Sequence, residues 1–353
     1  MVDVLGYDVG GANTKAALVS VKDGKLLNAE VAVEYFPVWK QPKKLADVLL
    51  TLKEGLGASR LDGLGVTMTA ELSDAYQTKR EGVHHILGCV KEAFPDVPIY
   101  VLNTEAKLET LDVAKQEPLG VAAANWAATG WLVAQHLKNC VVVDVGSTST
   151  SIIPVVNGQV AACGKTDLDK LICGELVYTG CLRTNVAAIV QSIPVRNGVA
   201  GVASELFALT GDIHLVLGNI TEQDYTSGTA DGRGKTVPEA LARLARVVCA
   251  DTEMLTRQEI INMAQFIYDE QIRQVAEGLS KVYSYAKSLA SRKVPVVVTG
   301  LGKNFIARKA AETLGVDAMV ELGTLLPEQA VLATPAFGVA LMAANKLEGE
   351  TVK

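Results

Sequence analysis

The spacing of apolar residues along the chain changes repeatedly between the period of a strand and the period of a helix. Short alternating or continuous apolar runs predict strands, and apolar residues at i, i+3 and i+4 predict helices. The first part begins with two strands around a turn, 5–19, and continues with strands at 26–35, 61–68 and 98–102 and helices at 41–56, 83–94 and 118–137. The predicted order of this half is therefore β-β-β-α-β-α-β-α.

The second half begins in the same way and is then interrupted. Strands at 140–145, 150–156 and 159–165 precede a long insertion at about 166–292, whose stretch 257–289 has the spacing of one or two long amphipathic helices. The core pattern then resumes with a strand at 294–299, a helix at 304–314, a strand near 316–322 and a last helix at 335–344. We therefore predict two domains, 1–138 and 139–353, the second carrying a mostly helical insertion.

The turn at residues 8–15, called the first turn below, is rich in glycine and polar side chains. Its candidate ligand-binding residues are Asp8, Gly10, Gly11, Asn13, Thr14 and Lys15. Glycines let the backbone approach a ligand closely, and successive backbone amides form a nest for anions. A carboxylate beside such amides suits a phosphate group that carries Mg²⁺. By itself the pattern is equally compatible with an ordinary Gly-Gly hairpin at a sheet edge.

The same pattern recurs at residues 144–150, called the second turn below. Asp8 corresponds to Asp144, Gly10 to Gly146 and Thr14 to Thr150, with a constant offset of 136 residues. The second turn adds further candidate phosphate ligands, which are Gly146, Ser147 and Thr148. Two such units at the heads of two similar halves indicate an internal duplication.

The paired turns resemble the two phosphate-binding hairpins of the actin, hexokinase and Hsp70-like superfamily. The resemblance implies an α/β fold with two ribonuclease-H-like domains that face a central cleft. It also implies that Asp8 and Asp144 hold Mg²⁺ there, so we expect the two carboxylates to face each other.

The fourth strand of each half ends in a loop that is a second candidate for chemistry. After the first, the loop at 67–74 and the residues beyond it contain Thr69, Glu71, Asp74 and Lys79. A carboxylate there can bind a cation or remove a proton, and a lysine can offset phosphate charge. After the second, Gly300, Gly302 and Asn304 offer bare backbone and a polar helix start. A solvated loop and a plain N-cap are the alternative interpretations.

Three more polar residues follow the third strand of the second half. Asp167 leaves that strand towards the expected cleft, Tyr178 can stack on a ring, and Arg183 can bind a phosphate or carboxylate with two hydrogen bonds. We predict all three to contact substrate, although ordinary surface salt bridging would equally explain the arginine.

Bulk properties narrow the class of protein. The 353 residues, 49% hydrophobic and 20% charged, are enough for roughly two globular domains. The net charge of −6, without a basic stripe, argues against a nucleic-acid partner. Six dispersed cysteines predict free thiols, mostly buried. Neither a signal peptide nor a membrane span is evident, so we expect a cytoplasmic protein, with a homo-oligomer left open.

Several segments resemble one narrower family over essentially the whole chain. They are DVGGANTK at 8–15, TMTAELSD at 67–74, AAANW at 122–126, GELVYTG at 174–180 and TADGR at 229–233. Together they are similar to the hydantoinase/oxoprolinase-like proteins linked to tetrahydromethanopterin-dependent one-carbon metabolism. The TMTAELSD and GELVYTG segments are much more specific than the superfamily's D-x-G hairpin.

The resemblance implies a transferase of methanofuran biosynthesis rather than a kinase. Such an enzyme condenses (5-(aminomethyl)furan-3-yl)methyl diphosphate with γ-glutamyltyramine, forms an aryl ether and releases diphosphate. The expected cofactor is Mg²⁺, and the expected partners are the two small-molecule substrates. Two other readings stay open at this point: an ATP-dependent small-molecule kinase or lactam hydrolase of the same fold, and a nucleotide-sensing or scaffold protein.

The phenol of the implied reaction needs a base. A carboxylate with an ordinary pKa near 4 is a poor base for a phenol of pKa about 10 unless it is partly desolvated. We predict Glu71 as that base, Asp74 as a metal-binding or orienting group, and Lys15 as a residue that contacts the diphosphate.

Overall fold

A computed structural model describes residues 1–290 and 293–349 of the chain. The predicted insertion limit at residue 292 and the predicted domain end at residue 353 lie outside the described residues.

Fourteen strands and eleven α-helices make up the described part of the chain. The strands are β1 (Val2–Val9), β2 (Asn13–Lys22), β3 (Lys25–Tyr35), β4 (Gly63–Met68), β5 (Ile99–Leu102), β6 (Leu108–Thr110), β7 (Cys140–Val145), β8 (Thr150–Val156), β9 (Gln159–Val160), β10 (Leu176–Val177), β11 (Ser192–Val195), β12 (Gly198–Gly201), β13 (Val296–Gly300) and β14 (Met319–Glu321). The helices are α1 (Leu45–Gly55), α2 (Lys79–Ala93), α3 (Leu111–Gln116), α4 (Asn125–Ala134), α5 (Asp167–Cys173), α6 (Thr210–Val216), α7 (Val237–Arg246), α8 (Arg257–Leu289), α9 (Arg308–Thr313), α10 (Glu328–Leu332) and α11 (Thr334–Glu348).

Two large sheets share one strand plan. The first has the order β3-β2-β1-β4-β5-β6, with β1–β2 antiparallel and β1–β4 and β4–β5 parallel. The second has the order β10-β8-β7-β13-β14, with β7–β13 and β13–β14 parallel, and β9 pairs with β8. In each, a parallel strand follows the N-terminal hairpin and a further parallel strand lies beyond it. This plan confirms the predicted α/β class built from two ribonuclease-H-like halves.

The chain packs into two compact units that are not simply its two halves. The first unit comprises Met1–Cys140, Ile153–Lys170 and Leu322–Lys353, and the second comprises Val141–Ile152 and Leu171–Glu321. The last helix, α11, thus packs with the first sheet although it follows the second in sequence. The predicted limits, 1–138 and 139–353, stay a prediction as domain boundaries.

Two glycines of the first sheet explain the close packing of α11. Gly6 of β1 and Gly65 of β4 are register partners in neighbouring strands. A methyl group at Gly6 would lie 2.1 Å from the Ala336 carbonyl oxygen, and one at Gly65 would lie 2.4 Å from that of Val339. Only glycine allows the helix backbone to approach the sheet this closely. The opposite face of the sheet packs on α1 and α2, where the Tyr7 hydroxyl donates to the Leu49 carbonyl at 2.6 Å.

The long amphipathic stretch of the insertion is confirmed as a single helix, α8, of 33 residues. Its start carries a capping box, in which the Thr256 hydroxyl accepts from the Glu259 amide and the Glu259 carboxylate accepts from the Thr256 amide. Its apolar face packs into a core that also contains Val186, Ile193 and Leu244.

Two predicted elements are wrong in extent. The predicted helix at 118–137 is a short 3-10 turn, Pro118–Gly120, followed by α4, because Ala123 has a φ of +50° that a helix cannot contain. The predicted strand at 159–165 ends at Val160. The short elements β6, α3 and α10 lack a clear periodicity and were not predicted.

Candidate functional site

The first turn closes with a short hydrogen bond and presents two opposite charges on one face. The Gly10 amide donates to the Asn13 carbonyl at 3.0 Å. Asp8 and Lys15 are register partners across β1 and β2, so their side chains lie on the same face of the sheet. Asp8 is 5% exposed and Lys15 is half-buried. A carboxylate and an ammonium therefore adjoin the turn, and the binding of a cation and a phosphate there stays a prediction.

The other polar residues of the first turn differ in access. Gly11 and Asn13 are half-buried, whereas Thr14 is fully buried and is the register partner of Val9, whose side chain belongs to the core. The carbonyls of Gly11 and Ala12 accept from the backbone of residues 36–38. The turn is thus fixed from its carbonyl side.

The loop after β4 lies directly against the first turn. β4 runs parallel to β1, and the Thr69 amide donates to the Val9 carbonyl at 2.9 Å. A 3-10 turn, Ala70–Leu72, follows and buries Glu71 to 1% exposure. The predicted neighbourhood of Thr69 and the first turn is therefore present, and it includes a buried carboxyl group.

Glu71 lies in an environment that raises its proton affinity. Burial raises the pKa of its carboxyl group from about 4.5 to about 7, although the nearby Lys79 ammonium acts in the opposite direction. The Lys79 Nζ lies 3.7 Å from Glu71 Oε1 and 2.5 Å from Asp167 Oδ2. The structure thus brings together three residues that the sequence separates, Glu71, Lys79 and Asp167.

Glycine packing fixes the position of Glu71. A methyl group at Gly82, near the start of α2, would lie 2.5 Å from the Glu71 carbonyl oxygen and 2.6 Å from its Cα. The helix begins at an N-cap, Thr78, whose hydroxyl accepts from the Glu81 amide. By contrast Asp74, three residues after Glu71, is exposed to solvent.

A tyrosine and a histidine beside this carboxyl group were not predicted. The Tyr76 hydroxyl and His85 Nδ1 are 2.7 Å apart, and His85 Nε2 lies 3.6 Å from Cys89 Sγ. Burial raises the pKa of Tyr76 to about 12, with a smaller contribution from Glu71, and burial lowers the pKa of His85. The i, i+4 spacing of His85 and Cys89 on α2 was the available signal.

The second turn repeats the geometry of the first. The Gly146 amide donates to the Ser149 carbonyl at 2.9 Å, the same bond as in the first turn, displaced by the repeat offset. The Cys181 amide donates to the Gly146 carbonyl, and the Arg183 amide to that of Ser147. The Arg183 guanidinium also donates to the Thr148 hydroxyl at 3.5 Å. Arg183, predicted to bind substrate, thus lies at the predicted phosphate turn.

Two glycines, one at the end of β13 and one just after it, pack against the strand that leads into the second turn. Gly300 has a φ of +82°, and a methyl group there would lie 2.4 Å from the Val145 carbonyl oxygen and 2.5 Å from Asp144 Oδ1. The Gly302 amide donates to the Val145 carbonyl at 3.1 Å. Gly300 adjoins the predicted acidic residue and Gly302 adjoins Val145, and close packing is sufficient to require both glycines.

Other predicted residues lie in more open positions. Tyr178 is 59% exposed, and Asn304 is exposed in a π-helical turn, Lys303–Ala307. The predicted approach of Asp8 and Asp144 stays a prediction.

The chemistry of the remaining side chains limits what a cofactor can use. Residues 1–290 and 293–349 contain no group of three or more His, Cys, Asp or Glu arranged to hold a metal ion. One carboxylate at each turn instead fits Mg²⁺ that arrives with a phosphate group, since this ion commonly uses one or two carboxylates plus substrate oxygens.

All six cysteines are free thiols, and Cys89, Cys140 and Cys181 are buried. Within the described chain, no helix has the length and apolar character needed to cross a membrane.

Comparison with known families and proteins gives consistent matches. The hydantoinase/oxoprolinase family profile matches residues 62–346. A protein of Methanocaldococcus jannaschii named (4-{4-[2-(γ-L-glutamylamino)ethyl]phenoxymethyl}furan-2-yl)methanamine synthase is 38% identical over 349 residues, covering 98% of each chain. A Methanococcus vannielii protein of the same name is 37% identical over 221 residues, covering 62% of this chain and 97% of its own.

Among solved structures, nucleotide-free acetone carboxylase aligns with a TM-score of 0.56 and 11% identity, covering 96% of this chain and 70% of that one. At this identity the match shows the fold alone. Together with the two sheets, it confirms the predicted α/β fold of the actin, hexokinase and Hsp70 type.

Proposed function

We propose that this chain, which belongs to the hydantoinase/oxoprolinase family, is a transferase that joins a phenol to a furfuryl-type carbon in methanofuran biosynthesis. The substrates would be (5-(aminomethyl)furan-3-yl)methyl diphosphate and γ-glutamyltyramine. The product named for the two methanogen relatives contains both pieces, linked through a phenoxymethyl ether.

The reaction balances without an oxidant or a nucleotide. The phenol oxygen forms a bond to the furan-bearing CH₂, the bond from that carbon to the diphosphate oxygen breaks, and the phenolic proton leaves. The products are the aryl ether, diphosphate and one proton. The protein therefore has two tasks, which are stabilising the departing anion and accepting the proton.

The buried carboxyl group of Glu71 is the observation that carries the proposal. With a pKa near 7 it is a stronger base than an ordinary glutamate, and it lies beside the first turn through the Thr69 contact with Val9. The remaining gap to a phenol of pKa about 10 is roughly 3 units. Proton transfer to Glu71 is then feasible once the leaving group has begun to depart and the phenol oxygen carries positive charge.

Departure of the diphosphate depends on groups that stabilise its negative charge. Lys15 and the amides of the first turn are suited to contact that anion, and Arg183 at the second turn is suited to contact an anionic group as well. Mg²⁺, held by Asp8 or Asp144 together with the diphosphate, would supply further neutralisation of charge. Asp74, which is exposed in the loop after β4, would orient the substrate or contact the cation.

Exposed side chains of the second unit are suited to the organic parts of the substrates. Tyr178 offers an aromatic face, and Asn304 offers an amide for hydrogen bonding. We also propose a cytoplasmic location, because free thiols are typical of a reducing compartment.

The test is a reconstitution with purified protein, the furfuryl diphosphate, γ-glutamyltyramine and Mg²⁺. We expect the ether, identified by mass spectrometry, and diphosphate in equal amounts, without any need for ATP. Tyramine offered in place of its glutamyl derivative measures how much the acceptor's glutamate contributes.

Two results would contradict the proposal. ADP production from ATP coupled to substrate turnover would indicate the kinase or lactam-hydrolase alternative. Tight nucleotide binding without turnover of either substrate would indicate a sensing or scaffold role.

A further inference from the structure

We propose that Asp167 is a positioning residue, which holds the Lys79 ammonium at the margin of the site and away from the buried carboxylate of Glu71. This assigns Asp167 and Lys79 a role different from the sequence prediction, in which they bind substrate and phosphate. The catalytic consequence rests on the proposed function, but the positioning itself can be measured without it.

The geometry supports an unequal competition for one cation. Lys79 lies at the first position of α2, Asp167 at the first position of α5, and Glu71 on the 3-10 turn that packs against α2. Lys79 Nζ is 2.5 Å from Asp167 Oδ2, which is hydrogen-bonding distance, and 3.7 Å from Glu71 Oε1, which is beyond it. The ammonium is therefore hydrogen-bonded to Asp167 and forms a longer ion pair with Glu71.

Solvent access explains why this division matters. The side chains of Lys79 and Asp167 are 23% and 24% exposed, whereas that of Glu71 is fully buried. A direct contact with an ammonium would favour the ionised form of a buried carboxylate strongly. Because the hydrogen bond of Lys79 goes to Asp167, the ammonium stabilises the ionised form of Glu71 less than a direct hydrogen bond would. The proton affinity of Glu71 therefore stays high.

Charged and titratable groups face Glu71 from three elements. Lys79 faces it from α2 and lowers its pKa, and the negative charge of Asp167 on α5 raises it. Tyr76, from the connecting loop, is influenced by the same carboxyl group. Replacing Asp167 by asparagine removes the partner of Lys79 and a nearby negative charge, and both changes lower the pKa of Glu71.

The experiment follows protonation of Glu71 directly in the intact protein. Infrared pH-difference spectra contain the band of a protonated buried carboxyl group, and the band that is absent in Glu71→Gln belongs to Glu71. We expect Asp167→Asn to move the midpoint of that band to lower pH by about one unit. The acidic limb in the pH dependence of ether formation should move in the same direction. In Asp167→Glu, which keeps a carboxylate at this position, the midpoint and the limb should lie close to their wild-type pH.

Two controls separate positioning from a general charge effect. Asp169→Asn removes the same charge from the same helix, at a carboxylate that bonds to Thr166, and should leave the midpoint within about 0.2 units. In a Lys79→Gln background, Asp167→Asn should shift the midpoint much less than in the wild type, because the cation that Asp167 holds is gone.

Each outcome decides between the possibilities. An unmoved midpoint in Asp167→Asn, or an equal shift with and without Lys79, overturns the positioning role. The expected shift in a protein that forms no ether supports the positioning role and refutes the proposed function. Ether formation with an unmoved midpoint supports the proposed function and refutes the positioning role.

Discussion

The two turns of the duplicated core share a backbone and differ in what surrounds it. Each closes with an amide-to-carbonyl bond between equivalent residues, Gly10 to Asn13 in the first and Gly146 to Ser149 in the second. Each also has a threonine beside its aspartate in the neighbouring parallel strand, Thr67 in one unit and Thr299 in the other. The two halves therefore share the hydrogen bond that closes the turn and the threonine beside the aspartate.

The side chains around the two turns differ in charge and size. Lys15 in the first turn corresponds in the repeat to Ser151. After β4 the first unit has a buried Glu71, whereas the second unit has Gly300 at the end of β13 and Gly302 just beyond it. At these equivalent positions the first unit thus has a lysine and a buried carboxyl group, while the second unit has closely packed backbone, with Arg183 beside its turn.

The largest effect is expected from replacing Glu71, the proposed base. Glu71→Gln should lower the turnover of ether formation by roughly 10²–10⁴-fold, the usual range for loss of a general base. Asp74→Asn, a matched change three residues away at an exposed carboxylate, should lower it much less. Steady-state kinetics over a Mg²⁺ titration check both.

Rescue of Glu71→Gln by excess Mg²⁺ would reverse these roles and make Glu71 the cation ligand. Full turnover in both variants would mean that neither carboxylate carries the chemistry.

In the second unit the largest effect should come from backbone packing. Gly300→Ala combines an unfavourable positive φ with contacts at 2.4 and 2.5 Å, and we expect a loss of about 2–4 kcal/mol in the free energy of unfolding. Gly315 has a φ of +68° and open space around it, so Gly315→Ala should cost only about 1 kcal/mol. Urea denaturation measures both; equal losses would show that packing against Asp144 is unimportant.

The lysine that distinguishes the first turn from the second should matter for binding rather than for folding. Lys15→Ala should weaken affinity for the furfuryl diphosphate by about 1.5–3 kcal/mol, the usual value of a hydrogen bond to a charged group. Lys22→Ala, at the exposed far end of the same strand, is the matched control. Calorimetric titration tests this, and unchanged affinity in Lys15→Ala would remove Lys15 from the site.

A smaller effect should follow from loosening the packing that fixes Glu71. Gly82→Ala must displace the Glu71 backbone, so we expect a loss of about 1–3 kcal/mol in stability together with reduced turnover. Gly88 lies in the same helix, and a methyl group there would have no atom within 4 Å. Gly88→Ala should therefore raise the free energy of unfolding by up to about 1 kcal/mol through helix propensity. Thermal unfolding of the pair decides; a gain in both would mean that Glu71 is positioned by other contacts.

The fold was readable from the sequence because its signals are local and repeated. The predicted second-half strands at 140–145 and 150–156 match β7 and β8, and the predicted helical stretch 257–289 matches α8. The predicted helix at 118–137 was wrong in extent because of a single residue. Ala123 has a positive φ that interrupts a run of helix-forming alanines, and composition does not reveal this backbone conformation. Likewise, the packing of α11 on the first sheet follows from Gly6 and Gly65, which look unremarkable in the sequence.

The site was only partly predictable for a related reason. Glycines and carboxylates at strand ends mark a binding region, so the sequence alone was enough to propose Asp8, Glu71 and Arg183. Burial and pairing cannot be read from spacing, because they depend on residues far apart in the chain. The bond between Lys79 and Asp167 joins positions 88 residues apart, and it changes the interpretation of both.

The central claim is that Glu71 accepts the phenolic proton, and the pH dependence of ether formation tests it most directly. A base is active when deprotonated, so kcat/KM should rise as pH increases through about 7, the pKa of the buried carboxyl group. In Glu71→Gln that limb should disappear while a low residual rate remains, and in Asp74→Asn the limb should stay. A limb near pH 7 that survives in Glu71→Gln, or a wild-type rate that rises only near the phenol's own pKa of about 10, would contradict the account.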